Sequence, residues 1–160
     1  MGIKESYRGP AGKTLPGLNS TSEEAVEKSR HVFAQNRVTI AYLFGSYARG
    51  SADSSSDIDL AVYCDLTGEE LYTKYRQLMI ELQETLGTER LDLLLLNDAP
   101  PYLQFEVVSS GTVIYAESEE ALNDFETRVI QRYQDTAYLR KIQNFYLEKR
   151  AREWSSKKKA

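Results

Sequence analysis

Residues 38–63 read VTIAYLFGSYARGSADSSSDIDLAVY. The first seven residues are β-branched, aromatic or aliphatic and end at Gly45-Ser46, which predicts a buried strand followed by a sharp turn. The run from Asp57 to Tyr63 alternates polar and apolar residues and then becomes apolar, which predicts a second strand whose first part lines a site. The intervening stretch is rich in Gly, Ser and Ala and predicts a loop. Ten residues therefore separate a Gly-Ser turn from an Asp-x-Asp strand start.

Helices and strands are predicted to alternate along the rest of the chain. Two overlapping capping boxes, Ser20 with Glu23 and Thr21 with Glu24, predict a helix through about Gln35. Apolar spacing predicts further helices over 67–86, 102–109 and 118–153, and further strands over 90–96 and 112–115. An apolar stripe follows the last helix through Leu122, Phe125, Val129, Tyr133, Leu139, Ile142 and Tyr146. This alternation predicts an α/β fold, with a sheet covered by helices.

Length and composition favour one soluble domain. The 160 residues include 24 acidic and 20 basic side chains, a net charge of −4 that disfavours binding to duplex nucleic acid. We expect a flexible lead-in over 1–19, a main domain over 20–117, a C-terminal helix over 118–153 packed on it, and a basic tail over 154–160. No apolar run is long enough to span a membrane. Because Cys64 is the only cysteine and no apolar signal stretch precedes the fold, we expect a cytoplasmic protein.

The Gly-Ser turn and the Asp-x-Asp strand start carry the chemistry. Asp57 and Asp59 are two residues apart on a strand, so their carboxylates project from one face, and a divalent cation would relieve their repulsion. Gly45 lets the chain turn sharply and lets a ligand approach the backbone. Ser46 is predicted to begin a short helix, whose free N–H groups favour a phosphate. Together these residues indicate metal-assisted nucleotidyl transfer.

A third carboxylate is expected from the neighbouring strand. Asp92 lies between leucines, where an unpaired carboxylate would be costly to bury without a cation. Asp98 and Glu89 are weaker candidates, because both fall at strand ends. A structural salt bridge from Asp92 to Arg90 or Arg49 is the alternative to a metal role, and Arg49 could instead contact phosphate or brace the loop.

Three segments resemble the polymerase-β-like nucleotidyltransferase superfamily, and within it the minimal nucleotidyltransferase group, the MntA-type adenylyltransferase antitoxins. The segments are AYLFGSYARG at 41–50, SDIDLAV at 56–62 and LDLL at 91–94, the last followed by Asn97. The resemblance covers about residues 38–116. It implies a small mixed sheet flanked by helices, with a long C-terminal helix.

The resemblance also implies a reaction and a partner. By it, AMP passes from ATP to a tyrosine of a cognate HEPN ribonuclease toxin, which is thereby silenced, and the two proteins form a hetero-oligomer. Gly45 and Ser46 would hold the triphosphate, with Arg49 as a further nucleotide contact. Two Mg²⁺ ions would be held by Asp57 and Asp59, while Asp92 completes the metal site and serves as base.

Three questions stay open at the level of sequence. The acceptor could be a small molecule, as in aminoglycoside nucleotidyltransferases, although little chain remains after Ala116 to build a pocket. The chain could instead be a non-catalytic antitoxin that occludes its toxin. The segment from Lys149 to Ala160 carries six basic residues and one acidic residue, which suits either a solvated helix end or docking to RNA or an acidic partner.

Overall fold

The computed structural model describes residues 20–49, 51 and 56–157, with side chains described between Glu27 and Ser155. Over these residues the chain forms six helices and four strands. The helices are α1 (Ser20–Gln35), α2 (Gly45–Ala48), α3 (Gly68–Leu86), α4 (Pro101–Ser110), α5 (Glu119–Asp135) and α6 (Ala137–Lys157). The strands are β1 (Val38–Phe44), β2 (Ile58–Cys64), β3 (Leu91–Leu95) and β4 (Thr112–Ala116).

The four strands form one mixed sheet in the order β3-β2-β1-β4. Strand β1 is antiparallel to both of its neighbours, while β2 and β3 run parallel. The predicted fold class, a small mixed sheet flanked by helices, is confirmed. The parallel pair follows from the crossover through α3, because parallel strands need a long connection.

A hydrophobic core covers each face of the sheet. On one face α1 and α3 pack on the strands through residues such as Phe33, Leu78 and Leu82. On the other face α4 and α5 pack through residues such as Val107 and Phe125. Alternate side chains of each strand enter different cores, as the pleat of a strand requires. Cys64 is 1% exposed, and burial raises the pKa of its thiol to about 11, so it serves as packing.

The ends of the helices follow local chemistry. Gly87 ends α3 in the left-handed conformation with φ 64°, as predicted for a glycine after a helix. Pro101 opens α4, where its missing N–H costs nothing. The Ser118 hydroxyl accepts a hydrogen bond of 3.0 Å from the N–H of Ala121 and so caps α5.

The prediction of one C-terminal helix over 118–153 is wrong, because the helix is interrupted at Thr136. At Thr136 the hydroxyl donates to the backbone oxygens of Arg132 and Tyr133, both at 3.1 Å, beside the 3.2 Å bond from the Thr136 N–H to the Arg132 oxygen. Beyond the break, the stripe residues Leu139, Ile142 and Tyr146 are exposed, whereas Leu122, Phe125 and Val129 before it are buried.

Several expectations fall outside the described residues. These are the lead-in over 1–19, the side chains of the two capping boxes, and the last three residues of the basic tail. In the part of the chain that the structure describes, no helix combines the length and apolar character needed to cross a membrane.

Candidate active site

Three carboxylates lie at the start of the parallel strand pair. Asp59 of β2 is the register partner of Asp92 of β3, and Asp57 stands one residue before β2. Leu91 and Leu93 enter the core beneath α1 and α3, so Asp92 points to the opposite face of the sheet. The structure therefore brings together the three aspartates that the sequence singled out.

The reason given for Asp92 needs correction. The sequence suggested a carboxylate enclosed by apolar neighbours, yet Asp92 is exposed. Strand β3 lies at the edge of the sheet, and its start is left uncovered on the face away from Leu91 and Leu93. Asp92 thus pays no burial cost, and its place in the site depends on its pairing with Asp59.

Asp59 is partly buried and lies beside two other carboxylates. Burial raises its pKa above the ordinary value of 3.8, and the nearby Asp92 and Asp57 raise it further. A hydrogen bond from the Ser46 N–H and the charge of Arg49 act in the opposite direction. The site therefore holds like charges close together, with one backbone donor and one cation as partial compensation.

Gly45 is required by geometry as well as by conformation. Its φ is 68°, in the left-handed region that favours glycine. A Cβ at this position would overlap Asp59 Oδ2 and stand 2.7 Å from Asp59 Cγ. The sequence suggested that a ligand approaches the Gly45 backbone closely. In the structure, the group that does so is the Asp59 side chain.

The short helix α2 lies beside Asp59. Its first turn directs the Ser46 N–H at Asp59, so this particular donor is engaged within the protein. The Ser46 carbonyl oxygen accepts 3.0 Å and 3.4 Å hydrogen bonds from the N–H and hydroxyl of Ser51. Arg49 ends the helix, is exposed, and bonds through its N–H to the Gly45 carbonyl oxygen at 3.3 Å. Its guanidinium faces solvent near the aspartates.

The weaker carboxylate candidates lie elsewhere. Asp98 follows the far end of β3 and accepts a 2.8 Å hydrogen bond from the Tyr72 hydroxyl, whose pKa it raises. Glu89 is exposed in the loop before β3. Asp98 is thus separated from Asp92 by the length of the strand.

Two residues have roles that the sequence did not indicate: Tyr75 close to Asp92, and Asn97 at the far end of the parallel strand pair. The Tyr75 hydroxyl donates a 2.6 Å bond to the Leu93 carbonyl oxygen, and burial together with Asp92 raises its pKa. Asn97 accepts from the N–H of Cys64 at 3.1 Å and donates to the Cys64 carbonyl oxygen at 2.7 Å, which ties the end of β2 to the turn after β3. No sequence pattern specifies such long-range hydrogen bonds.

No ready-made metal cluster of three or more His, Cys, Asp or Glu side chains occurs among the described residues. Asp57, Asp59 and Asp92 nevertheless form an all-oxygen donor set, which suits a hard cation such as Mg²⁺. Burial is the largest cause of the raised pKa of Asp59, and repulsion from Asp92 and Asp57 adds to it. A cation would relieve that repulsion.

The sequence profile described as polymerase beta, nucleotidyltransferase matches residues 27–120. The chain belongs to this family. The match covers all four strands and the three aspartates, so the nucleotidyltransferase core is the part of the chain described above as the site and its sheet. Helix α6 and nearly all of α5 lie beyond the matched residues. None of the curated proteins compared matches the sequence.

Solved structures share the fold over most of their length. A toxin-antitoxin structure with AMP-PNP has a TM-score of 0.63 and 26% identity, over 76% of this chain and 98% of that chain. A mutant of the toxin-antitoxin MntA-HpeT has a TM-score of 0.63 and 25% identity, over 81% and 99%. An MNT antitoxin complexed with tri-AMPylated HEPN toxin from Shewanella oneidensis has a TM-score of 0.60 and 24% identity, over 78% and 98%. At that identity the last comparison shows the fold.

Proposed function

We propose that this nucleotidyltransferase moves AMP from ATP to a tyrosine hydroxyl of a cognate HEPN ribonuclease toxin and so acts as its antitoxin. The observation that carries the proposal is the placement of Asp57, Asp59 and Asp92 together at the start of the parallel strand pair, beside the Gly45-Ser46 turn. Toxin-antitoxin structures that share the fold, one of them with AMP-PNP, support it. The single, buried Cys64 is consistent with a cytoplasmic setting.

The three aspartates are the residues that would hold magnesium. They offer only oxygen ligands, and such ions would balance the negative charge of Asp92 and Asp57, which after burial raises the pKa of Asp59. When bound, two Mg²⁺ ions would neutralise phosphate charge and polarise the α-phosphoryl group. Gly45 and Ser46 would hold the triphosphate, and the exposed Arg49 is the nearby cation available to it.

Group transfer requires a base for the attacking hydroxyl. In the proposed step the tyrosine oxygen forms a bond to the α-phosphorus, and the bond from that phosphorus to the bridging oxygen of the β-phosphate breaks. Pyrophosphate leaves with the electron pair. Asp92 accepts the phenolic proton, which its exposure allows, since an acceptor protein can reach it from solvent.

Intact mass spectrometry tests the proposal. A cognate HEPN-domain protein, incubated with this chain, ATP and Mg²⁺, is expected to gain multiples of one AMP mass. Asp57→Asn and Asp59→Asn each keep the side-chain shape but remove the charge, and each is expected to slow the transfer by about 10³-fold or more. Asp65→Asn, at the exposed other end of β2, is the matched control and should transfer AMP normally. An unmodified HEPN protein with the unaltered chain would refute the proposal.

A further inference from the structure

Helix α6 displays an apolar stripe with nothing packed on it among the described residues. The stripe consists of Tyr138, Leu139, Ile142, Phe145 and Tyr146, and these side chains are 72%, 59%, 36%, 64% and 59% exposed. Their spacing places all five along one side of the helix, over about a third of its circumference. A contiguous apolar surface of this kind on a soluble chain marks an interaction site.

The base of α6 is held against the body of the protein. Tyr133 stacks on Phe105 of α4 with ring centroids 4.0 Å apart, and the Arg140 guanidinium lies 3.6 Å above the Tyr133 ring. Arg140 also bonds to the Tyr133 carbonyl oxygen and to the Thr136 hydroxyl, both at 2.5 Å. These contacts link three helices at the break and hold the start of α6 against the body of the protein.

The size of the stripe suits a protein partner. Five side chains with these exposures offer roughly 600 Å² of mostly apolar surface, against the roughly 800 Å² that each partner buries in a standard interface. Nucleic acid would match the charge of α6 but would leave the apolar stripe exposed to water. The apolar stripe therefore favours an apolar groove on a protein, and not nucleic acid, as its binding partner.

The positive charge of α6 indicates that the partner protein has an acidic surface. The helix carries six basic and two acidic side chains, and past the stripe the basic ones dominate. Of these, Arg152 pairs with Glu148 at 3.7 Å, an exposed contact that neutralises little. A second copy of this chain would bring two positive helices together, whereas a partner with an acidic rim would complement them.

We propose that the apolar stripe of α6 is the surface on which the acceptor protein docks, through an apolar groove rimmed by carboxylates. This inference rests on the proposed function, since the acceptor is the HEPN toxin named there. It assigns binding to α6 and transfer to the aspartates, in two separate parts of the chain. Docking through α6 would keep the acceptor at the enzyme while its tyrosine reaches the site.

Phe145→Glu and Leu147→Glu form a matched pair for the test. The two side chains are 64% and 62% exposed on the same helix, but Leu147 lies on the other side from the stripe. Calorimetry with the HEPN protein is expected to show binding weakened at least tenfold by Phe145→Glu and less than threefold by Leu147→Glu. In AMP transfer, Phe145→Glu is expected to raise the KM for the HEPN protein while ATP binding stays unchanged.

The outcomes separate this inference from the proposed function. Unchanged HEPN binding by Phe145→Glu, or equal loss in both variants, would overturn the docking surface while leaving AMP transfer intact. Tight, stripe-dependent HEPN binding without any mass gain would overturn the transfer and keep the docking surface. Light scattering that shows a dimer of this chain dispersed by Phe145→Glu, with HEPN binding unaffected, would assign the stripe to a second copy. RNA binding lost in Phe145→Glu, again with HEPN binding unaffected, would assign it to nucleic acid.

Discussion

Gly45 is a glycine for two separable reasons. Its left-handed φ of 68° disfavours any side chain, and the missing Cβ leaves the space that the Asp59 carboxylate occupies. Gly68 and Gly87 share the first reason, with φ of 62° and 64°, but a Cβ on either would meet nothing within 4 Å. Comparing these glycines therefore separates two effects of a substitution. One is backbone strain at positive φ, which applies to all three positions, and the other is displacement of Asp59, which applies to Gly45.

Gly45→Ala is expected to cut AMP transfer by about 100-fold or more, because the new methyl group displaces Asp59 from its partners in the site. Gly68→Ala carries the same conformational penalty, about 1–2 kcal/mol, and should leave the rate of transfer unchanged. Transfer rates and thermal melting of both variants check the comparison. Equal rates in the two variants would show that the space beside Asp59 is irrelevant to catalysis.

At the scale of single residues, the sequence predicts the identity of the three aspartates but not their environment. Strand periodicity places Asp57 and Asp59 on one face, and the structure puts them beside Asp92. Whether Asp92 is buried depends on which strand lies at the sheet edge and where the covering helices end. Those are tertiary facts, and the apolar neighbours of Asp92 in sequence pointed to the wrong answer.

At the scale of elements, α5 begins at a complete capping site. Ser118 supplies the cap, and Glu119 and Glu120 place negative charge in the first turn, where the helix dipole favours it. The buried side of this helix, Leu122, Phe125 and Val129, forms much of the second core. A weaker start of α5 should therefore destabilise the packing on that face of the sheet.

Ser118→Ala is expected to lower the free energy of unfolding by about 1 kcal/mol and the Tm by about 2–4 °C, because one N–H at the helix start loses its acceptor. Ser155→Ala makes the same substitution inside α6, where the hydroxyl bonds to the Ala151 carbonyl oxygen at 2.9 Å and caps nothing. It should leave the Tm nearly unchanged. Thermal melting followed by circular dichroism measures the Tm of both variants. Equal Tm values would contradict the capping role of Ser118.

Elements with strong periodicity were predictable, and the C-terminal helix shows where periodicity fails. The apolar positions step by three or four residues from Leu122 to Tyr133 and again from Leu139 to Tyr146, but the step from Tyr133 to Leu139 is six residues. The prediction of a single packed helix ignored this gap in the helical spacing. The break falls in this gap, at Thr136, whose hydroxyl and N–H both bond to the preceding turn. Apolar spacing also cannot distinguish a helix side buried in its own domain from one reserved for a partner, which is the difference between α5 and α6.

At the scale of the whole molecule, the charged side chains of the candidate site lower the stability of the fold. Partial burial of Asp59, and after it the like charges of Asp92 and Asp57, raise the pKa of the Asp59 carboxyl. Because the folded pKa lies above the unfolded value of 3.8, ionised Asp59 disfavours folding. This destabilisation by Asp59 is fully present when the pH is above the pKa of Asp59 in the folded protein. It disappears as the pH falls through that pKa toward 3.8, the value in the unfolded chain.

Asp59→Asn is accordingly expected to stabilise the metal-free protein at pH 7, by a few tenths of a kcal/mol once solvent screening is allowed for, while it abolishes transfer. The gain should shrink as the pH approaches 3.8. Chemical denaturation between pH 7 and pH 4 measures this, with Asp65→Asn as the control for charge removal at the other end of β2. A gain in stability that does not depend on pH, or a loss of stability at pH 7, would contradict the conclusion that ionised Asp59 destabilises the fold.

The close approach of Gly45 to Asp59 also constrains how this sequence can vary. A residue larger than glycine at position 45 is compatible only with a shorter side chain at position 59, so the two positions are epistatic. Libraries that randomise one position at a time would register both as intolerant and miss their dependence on each other. An inactive descendant that has lost the carboxylate at 59 is released from the steric part of the constraint at 45, so the two positions are free to drift together once catalysis is lost.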